Sequence, residues 1–226
     1  MRNYRLHFIR HGITEGNLKG QYVGRTDQEV CLEGIRQLID LKETCLYPEV
    51  ERVYSSPLTR CVQTAGILYP QHPLQIVHSL AELHFGEYEG KTMEQLKDRP
   101  DFQRWLASSL TVSPPGGENS KDFTARILSG VEDIFRQMMD QGLHDAAVIT
   151  HGGVIMTLLY TLGLPKAEFR DWYTGNGRGY TVAMSAQMWM RDGAFEVQGQ
   201  IPVGADTLAP RMMEEFFDTL EEEAGG

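Results

Sequence analysis

The chain of 226 residues has little that would point to a membrane or to an oxidising compartment. It contains no apolar stretch near the ~18 residues that a membrane-spanning helix requires. Residues 1–4 lead into the first predicted strand without the apolar core of a signal peptide. The three cysteines, Cys31, Cys45 and Cys61, are odd in number and lack CxxC spacing, which is typical of reducing surroundings. We therefore expect a cytoplasmic protein that has no membrane partner.

Positive charge is also scarce, because 21 basic residues face 31 acidic ones and the formal net charge is −10. Residues 202–226 hold seven acids and only one arginine, so this tail contributes −6 and the rest of the chain −4. A chain of this kind lacks the basic stripe that nucleic-acid binding requires, so no nucleic-acid partner is expected. Close charges outweigh distant, screened ones, and the body can therefore still form a locally positive site.

The sequence lacks internal repeats and low-complexity linkers, and its length suits one α/β domain. Strand-like runs near 4–10, 52–56, 75–78 and 146–150 alternate with predicted helices at about 33–46, 58–69, 119–141 and 153–163. This alternation predicts a three-layer α/β/α sandwich around a doubly wound, mainly parallel sheet. Tyr180–Met190 and Ala194–Val197, separated by a turn, are expected to form a hairpin that closes one edge.

Two segments stand apart from this pattern. Residues 87–118 are expected to form a small helical cap insertion, because Glu89–Thr92 opens a helical stretch through Trp105 and turn residues close it. A packed surface helical pair is the alternative interpretation of the same residues. Residues 202–226 form an acidic tail after a main domain of residues 1–201. The apolar residues of the tail have helical spacing and predict an amphipathic helix docked on the domain, with a lid or a homodimer contact as the alternative. These residues are Met212, Met213, Phe216, Phe217 and Leu220.

The most informative segment is the apolar run Leu6–Ile9, which ends abruptly in Arg10-His11-Gly12. In open α/β sheets, ligands bind beyond the carboxyl ends of the strands, where this cation and imidazole are expected. A second strand-like run, residues 146–150, is likewise followed by His151 and Gly152. Two predicted strands are therefore each followed by a histidine, and both histidines are expected at the carboxyl ends of the strands.

Two more charged side chains are expected beside these histidines. The strand near 52–56 turns through Ser-Ser-Pro, which suits the start of a helix, and Arg60 lies within the first turn of that helix. Glu82 brings a carboxylate after the run Ile76-Val77. The predicted catalytic set is Arg10, His11, Arg60, Glu82 and His151.

These residues resemble the histidine phosphatase superfamily, the phosphoglycerate-mutase-like proteins. Four motifs in the family's order carry the resemblance: Arg10-His11-Gly12 with Thr14 and Asn17, Ser55-Ser56-Pro57-Leu58-x-Arg60, Glu82-x-x-x-Gly86, and His151-Gly152. The resemblance implies a phosphoglycerate-mutase-like fold with a cap that selects substrates. It also implies that His11 is the nucleophile that becomes phosphohistidine.

The chemistry of phosphoryl transfer suits these residue types. Arginine pairs with phosphate oxygens in bidentate geometry, which fits Arg10 and Arg60. A neutral imidazole can attack phosphorus, and the leaving alkoxide needs an acid with a raised pKa, for which Glu82 is the matching position. His151 would donate a ring N–H to the equatorial phosphate oxygens.

Five further residues are expected to bind the substrate. Asn17 and Thr14 would donate hydrogen bonds from the loop, while Gly12 and Gly152 would let the backbone approach the anion. Arg25 is included because Gly24-Arg25-Thr26-Asp27 also resembles the family.

Metal binding is the main alternative for a cluster of histidines and carboxylates. His7 and His11 are four residues apart, and His84 follows Glu82 by two. These spacings match known metal sites loosely, and two arginines in the same site would repel a divalent cation. We therefore expect no metal and no other cofactor.

A phosphatase acting on a small phosphorylated substrate is favoured over a phosphoglycerate mutase. Mutases of this family typically follow the acid with an arginine for the substrate carboxylate, whereas here Leu83 follows Glu82 and no adjacent arginine pair occurs. Residues 82–92 and 114–118 resemble the branch of α-ribazole phosphatases, which act in cobalamin biosynthesis, and broad-specificity phosphatases. The alternative of another class is a non-catalytic module that binds phosphorylated ligands or proteins, and the presence of both His11 and Glu82 argues against it.

Overall fold

The computed structural model describes residues 3–107 and 112–205. Within these ranges the strands are β1 Tyr4–Arg10, β2 Arg52–Ser55, β3 Leu74–Ile76, β4 Asp145–Thr150, β5 Gly163–Leu164, β6 Gly179–Met184 and β7 Phe195–Ile201. The α-helices are α1 Glu15–Leu18, α2 Leu32–Thr44, α3 Thr59–Leu68, α4 Met93–Leu96, α5 Pro100–Ala107, α6 Ser120–Gln141, α7 Gly152–Leu162 and α8 Ala186–Asp192. Short 3-10 turns lie at His78–Leu80, Gly86–Tyr88 and Phe169–Trp172.

The strands form one mixed sheet in the order β3-β2-β4-β1-β6-β7-β5. The first four strands of this order run parallel to one another, and β5 runs parallel to β7. Strand β6 is antiparallel to both β1 and β7. The predicted, mainly parallel α/β sheet is thus confirmed. Its strands β2, β4 and β1 end at one edge, because parallel strands point their carboxyl ends the same way.

Apolar side chains point alternately to the two faces of the sheet, and a layer of helices packs on each face. Leu6, Phe8 and Val148 face α6 and α7, in a core that includes Ile127, Val131, Ile134, Val154 and Leu158. Ile9, Ala147 and Ile149 face α2 and α3, in a core with Leu38, Cys61 and Ala65. Since each strand alternates its side chains, this pattern produces the expected three-layer sandwich.

The predicted hairpin at 180–197 is correct in its strand pairing but wrong in its first strand. Strand β6 ends at Met184 rather than Met190, and α8 occupies the next seven residues after Ser185. The hydroxyl of Ser185 caps this helix by accepting from the backbone N–H of Met188, and Gly193 ends it in the left-handed conformation, with φ 54°. The edge strand on this side is β5 rather than β7.

Helices α4 and α5 fall inside residues 87–118, whose role as a cap stays a prediction. Phe102 and Trp105 of α5, together with Phe85 from the preceding segment, pack edge-to-face against Tyr22, with ring centroids 5.3–5.8 Å from that of Tyr22. The predicted tail helix lies outside the described residues, and the domain boundary after residue 201 stays a prediction. In the part of the chain that the structure describes, no helix has both the length and the apolarity to cross a bilayer.

Candidate active site

The carboxyl ends of three parallel strands bring His11, Ser56 and His151 together. Strand β4 lies between β1 and β2, with Arg10 level with Thr150 and Ser55 level with Ile149. The His11 and His151 rings lie edge-to-face, with centroids 5.2 Å apart. The Oγ of Ser56 is 2.7 Å from Nε2 of His151. The sheet topology therefore unites residues that are up to 140 positions apart in the chain.

His11 is buried and held in one orientation by its own turn. Its Nδ1 lies 2.7 Å from the carbonyl oxygen of Gly12. A carbonyl can only accept, so Nδ1 carries the hydrogen and Nε2 keeps a lone pair. Burial, and then the charges of Arg60 and Arg10, hold the pKa of His11 well below its usual range. The ring is therefore a neutral base whose Nε2 is available as a nucleophile.

Two arginines flank the histidines, and each has a buried Nε group without a hydrogen-bond partner among the described residues. Arg60, fully buried at the start of α3, donates from Nη1 to Thr26 O at 2.9 Å and from Nη2 to Gly24 O at 2.7 Å. Arg10 donates from Nη1 to Thr174 O at 2.8 Å. Because an unpaired buried donor is costly, these two Nε groups fit a site that binds an anionic ligand.

Glu82 follows β3 and the 3-10 turn His78–Leu80, and its carboxyl group is buried at the same edge. One carboxyl oxygen accepts from the backbone N–H of Leu83 at 2.9 Å and the other from that of Gly153 at 3.0 Å. Burial raises the pKa of Glu82 and outweighs these two hydrogen bonds and the nearby arginines, all of which lower it. A carboxyl group with a raised pKa can hold a proton and donate it during a reaction.

His151 immediately precedes α7 and is fully buried. Besides Ser56, its Nε2 contacts Sγ of Cys61 at 3.5 Å. Burial raises the pKa of Cys61 to about 12, so this residue is a neutral thiol that packs beside the imidazole. Burial, and then the charge of Arg60, lower the pKa of His151 well below its usual range. Both histidines are therefore neutral before a ligand binds.

The five residues expected to bind substrate take different positions around this edge. The hydroxyl of Thr14 is used in a capping box with Asn17, whose Oδ1 accepts from Thr14 and lies 3.4 Å from Nδ2 of Asn176. This orients the Asn17 amide and leaves its Nδ2 to donate to a ligand. Arg25 is partly exposed, with a guanidinium nitrogen 3.9 Å from the carboxylate of Glu118.

The two glycines of this set each allow a close approach, but to protein atoms. A Cβ on Gly12 would lie 2.6 Å from Cδ1 of Leu38, so this glycine lets the loop pack against α2. A Cβ on Gly152 would lie 3.3 Å from Nε of Arg10. Gly152 therefore keeps open the space beside the unpaired donor of Arg10.

Sequence reasoning missed the residues that hold this site in place. Glu89 accepts hydrogen bonds from the loop at residues 24–26, and Arg126 binds Glu118 and the backbone around Glu82. The amide of Asn176 donates to His11 O at 2.9 Å. Glu118 and Glu89 fall in segments that resemble the family, whereas Arg126 lies in an amphipathic helix where no local motif marks it.

The metal-binding alternative has no cluster in residues 3–107 and 112–205, where no three His, Cys, Asp or Glu side chains group as ligands. The two ring nitrogens of His7 have other partners: Nδ1 lies 2.9 Å from Oγ1 of Thr181, and Nε2 lies 3.3 Å from Oδ1 of Asp145.

The sequence of this chain is similar to a known family and to proteins named as phosphatases. The family described as the histidine phosphatase superfamily (branch 1) matches residues 6–191. The adenosylcobalamin/alpha-ribazole phosphatase of Escherichia coli strain K12 is 29% identical over 71% of this chain and 80% of its own length. A glucosyl-3-phosphoglycerate phosphatase of Mycolicibacterium vanbaalenii is 30% identical over 73% of this chain and 77% of its own.

A solved structure described as a phosphoglycerate mutase from Thermus thermophilus is similar to this chain, with a TM-score of 0.61 and 30% identity. The match covers 87% of this chain and 98% of that one. Two of these three proteins are named as phosphatases of different substrates, and the third is named as a mutase.

Proposed function

The chain belongs to the histidine phosphatase superfamily and is a phosphatase, and from this premise we propose that it hydrolyses phosphomonoesters without a metal, through a phosphohistidine at His11. The observation that carries the proposal is the pair of unpaired, buried Nε groups of Arg10 and Arg60 beside the neutral ring of His11. A phosphate dianion would satisfy both donors. It would also be held by the two positive charges next to the nucleophile.

In the first step, Nε2 of His11 attacks phosphorus, the P–N bond forms and the P–O bond to the alcohol breaks. Glu82 gives its proton to the departing oxygen, so the alcohol leaves neutral. In the second step, the Glu82 carboxylate takes a proton from water as the water oxygen attacks phosphorus. The P–N bond then breaks, inorganic phosphate leaves and His11 recovers its lone pair.

The remaining donors stabilise the charge of the transferring group. His151 and Nδ2 of Asn17 donate to the equatorial oxygens, and the start of α7 at Gly152 turns its backbone N–H groups and helix dipole toward the anion. Binding of a dianion raises the pKa of His151, since it brings a negative charge next to a ring that burial and the nearby arginines otherwise keep neutral. Thr14 acts through Asn17, because its hydroxyl belongs to the capping box.

We propose a small phosphorylated metabolite as the substrate and α-ribazole 5'-phosphate as the first candidate. Similarity to the Escherichia coli phosphatase supports this candidate, and the partly exposed Arg25 is the residue that would contact the alcohol portion. Leu83 stands where a mutase would bind the substrate carboxylate with arginine, which supports hydrolysis over isomerisation.

The experiment measures release of phosphate from p-nitrophenyl phosphate by the wild type, with and without EDTA, and by His11→Ala. We expect activity that persists in chelator and is lost in His11→Ala, while His78→Ala, which changes an exposed histidine, stays active. Phosphoenzyme trapped from the reaction should be acid-labile and base-stable and should map to His11. Activity that EDTA abolishes, or label on a serine or aspartate, would refute the mechanism.

Two further assays separate the competing functions. If 3-phosphoglycerate is isomerised faster than phosphate is released from it, the protein is a mutase. Binding of inorganic phosphate without turnover of any ester would indicate a binding module. A panel of monoesters that includes α-ribazole 5'-phosphate, phosphoserine and glucosyl-3-phosphoglycerate then ranks the substrates by kcat/KM.

A further inference from the structure

The guanidinium group of Arg126, on α6, uses all five of its N–H donors. Two of them form a bidentate pair with Glu118, from Nε to Oε1 at 2.6 Å and from Nη2 to Oε2 at 2.8 Å. The other three bind backbone carbonyls: Nη1 donates to Ser79 O at 2.7 Å and to Ala81 O at 2.6 Å, and Nη2 donates to Glu82 O at 2.9 Å. One rigid, planar group thus gathers three carbonyls from the segment that carries the general acid.

Glu118 and its neighbours bind the part of the same segment that follows Glu82. Its backbone N–H donates to His84 O at 2.9 Å, and the neighbouring Pro115 O accepts from the N–H of Glu87 at 2.9 Å. The side chains of Arg126 and Glu118 are only 20% and 16% exposed, so water contributes little to this pair. The ion pair therefore links α6 to both sides of Glu82.

The backbone at Glu82 needs such support because it is irregular. It lies between the 3-10 turns His78–Leu80 and Gly86–Tyr88, outside any strand or α-helix. Its carboxyl group is held by the N–H groups of Leu83 and Gly153, and these bonds keep their geometry only while the backbone stays in place. General acid catalysis depends on positions to within about 1 Å.

We propose that Arg126, with Glu118 as its partner, is a positioning residue that holds Glu82 at the correct place to protonate the leaving group. This inference rests on the proposed function, in which Glu82 is the general acid. Arg126 itself does not touch the substrate in this scheme. Its loss impairs the protonation of the alcohol and leaves phosphate binding by Arg10 and Arg60 in place.

The leaving group distinguishes this role from a merely structural one. p-Nitrophenolate is a stable anion and departs without a proton, whereas the alkoxide of glycerol 2-phosphate requires one. The parameter kcat/KM reports the steps up to departure of the alcohol, so the later hydrolysis of phosphohistidine does not affect it. Because both substrates are tested on the same preparation, the ratio of their kcat/KM values is also independent of the fraction of folded protein.

The experiment compares the wild type, Arg126→Lys and Glu118→Gln on both esters. Lysine keeps the charge but cannot bind a carboxylate and three carbonyls at once. For Arg126→Lys we expect kcat/KM to fall by roughly 10²-fold on glycerol 2-phosphate and by less than about threefold on p-nitrophenyl phosphate. Glu118→Gln, which retains the carbonyl contacts of Arg126, should show the same selectivity to a smaller extent. The control is Arg136→Lys, an exposed residue of the same helix, which should leave both values unchanged.

Equal losses on the two esters in both variants would overturn the proposal, because they would assign the ion pair to general stability. Unchanged activity on glycerol 2-phosphate would overturn it as well. If the wild type hydrolyses neither ester, the proposed function fails and this inference fails with it. An active wild type with unselective variants refutes the role of Arg126 alone.

Discussion

The backbone N–H of Gly153 donates to Oε2 of Glu82 at 3.0 Å, and a Cβ placed on Gly153 would lie 2.6 Å from Oε1 of the same carboxyl group. The second residue of α7 thus orients the Glu82 carboxyl group, the proposed general acid, and leaves no space there for any side chain beyond hydrogen. The backbone of Gly153 is helical and any residue could adopt it. Glycine is therefore required here because the Glu82 carboxyl group lies so close, and not for its conformational freedom. In the proposed mechanism, His151, Gly152 and Gly153 therefore form one unit that binds phosphate and positions Glu82.

We predict that Gly153→Ala displaces the Glu82 carboxyl group and lowers activity on alkyl phosphates. The loss in kcat/KM should be on the order of 10²-fold, the lower range of what a general acid contributes. Steady-state kinetics on glycerol 2-phosphate checks this value.

The matched control is Gly66→Ala, since Gly66 lies in α3 and a Cβ added there would meet no atom within 4 Å. That variant should keep full activity and gain up to ~1 kcal/mol in the free energy of unfolding from helix propensity. Full activity in Gly153→Ala would show that Glu82 does not need its present position.

Glu89 organises the loop that holds Arg60, and we predict that Glu89→Gln weakens phosphate binding. Its carboxylate accepts from the N–H groups of Gly24, Arg25 and Thr26, from the hydroxyl of Thr26 and from the N–H of Phe85. The carbonyls of Gly24 and Thr26 in turn accept from Arg60. Glutamine would replace one acceptor oxygen with an amide group that faces donors.

The inhibition constant of inorganic phosphate should therefore rise roughly tenfold in Glu89→Gln, which corresponds to the loss of about one charge-assisted hydrogen bond. The measurement is competitive inhibition of p-nitrophenyl phosphate hydrolysis. Glu94→Gln serves as the control, since Glu94 on α4 is 78% exposed and pairs only with Lys97 among the contacts described. If the inhibition constant equals that of the wild type, the loop at residues 24–26 does not contribute to phosphate binding.

Local patterns in the sequence predict the residues at the strand ends. Arg10, His11 and His151 each follow an apolar run that is typical of a buried strand, and Arg60 follows a turn with a proline at a helix start. The parallel sheet then brings them together without further information. The same reasoning fails at residues 186–190, because a short run of Ala, Gln, Met and Trp fits a helix as well as a strand. Ser185 and Gly193 decide the outcome by capping the helix.

The supporting contacts could not be predicted because they join distant parts of the chain. Glu89 binds a loop about 63–65 residues away, and Arg126 reaches carbonyls 44–47 residues away. On a helix, an arginine that gathers carbonyls and one that faces solvent, such as Arg136, look alike in sequence. Only the packing of α6 against the turn His78–Leu80 separates them. The motif likewise assigns Thr14 to the substrate, whereas its hydroxyl caps α1.

Three buried histidines make the stability of the protein dependent on pH. Burial is the main cause that lowers the pKa values of His7, His11 and His151. The unfolded chain binds protons at these residues near pH ~6.5, while the folded chain does not. Since the unfolded state then binds more protons, the free energy of unfolding falls as the pH drops below that value, by up to ~1.4 kcal/mol per pH unit for each histidine.

Glu82 has the opposite effect on stability, because its pKa is raised in the folded protein. Its contribution stabilises the folded state at low pH and is lost as the pH rises through that pKa. We therefore expect urea-unfolding curves to show a loss of stability on acidification below about pH 6.5. In His11→Asn the slope of unfolding free energy against pH should be shallower, whereas His78→Asn, which changes an exposed histidine, should keep the wild-type slope. Identical slopes in all three proteins would mean that His11 is protonated equally in the folded and unfolded states, which would contradict a neutral nucleophile.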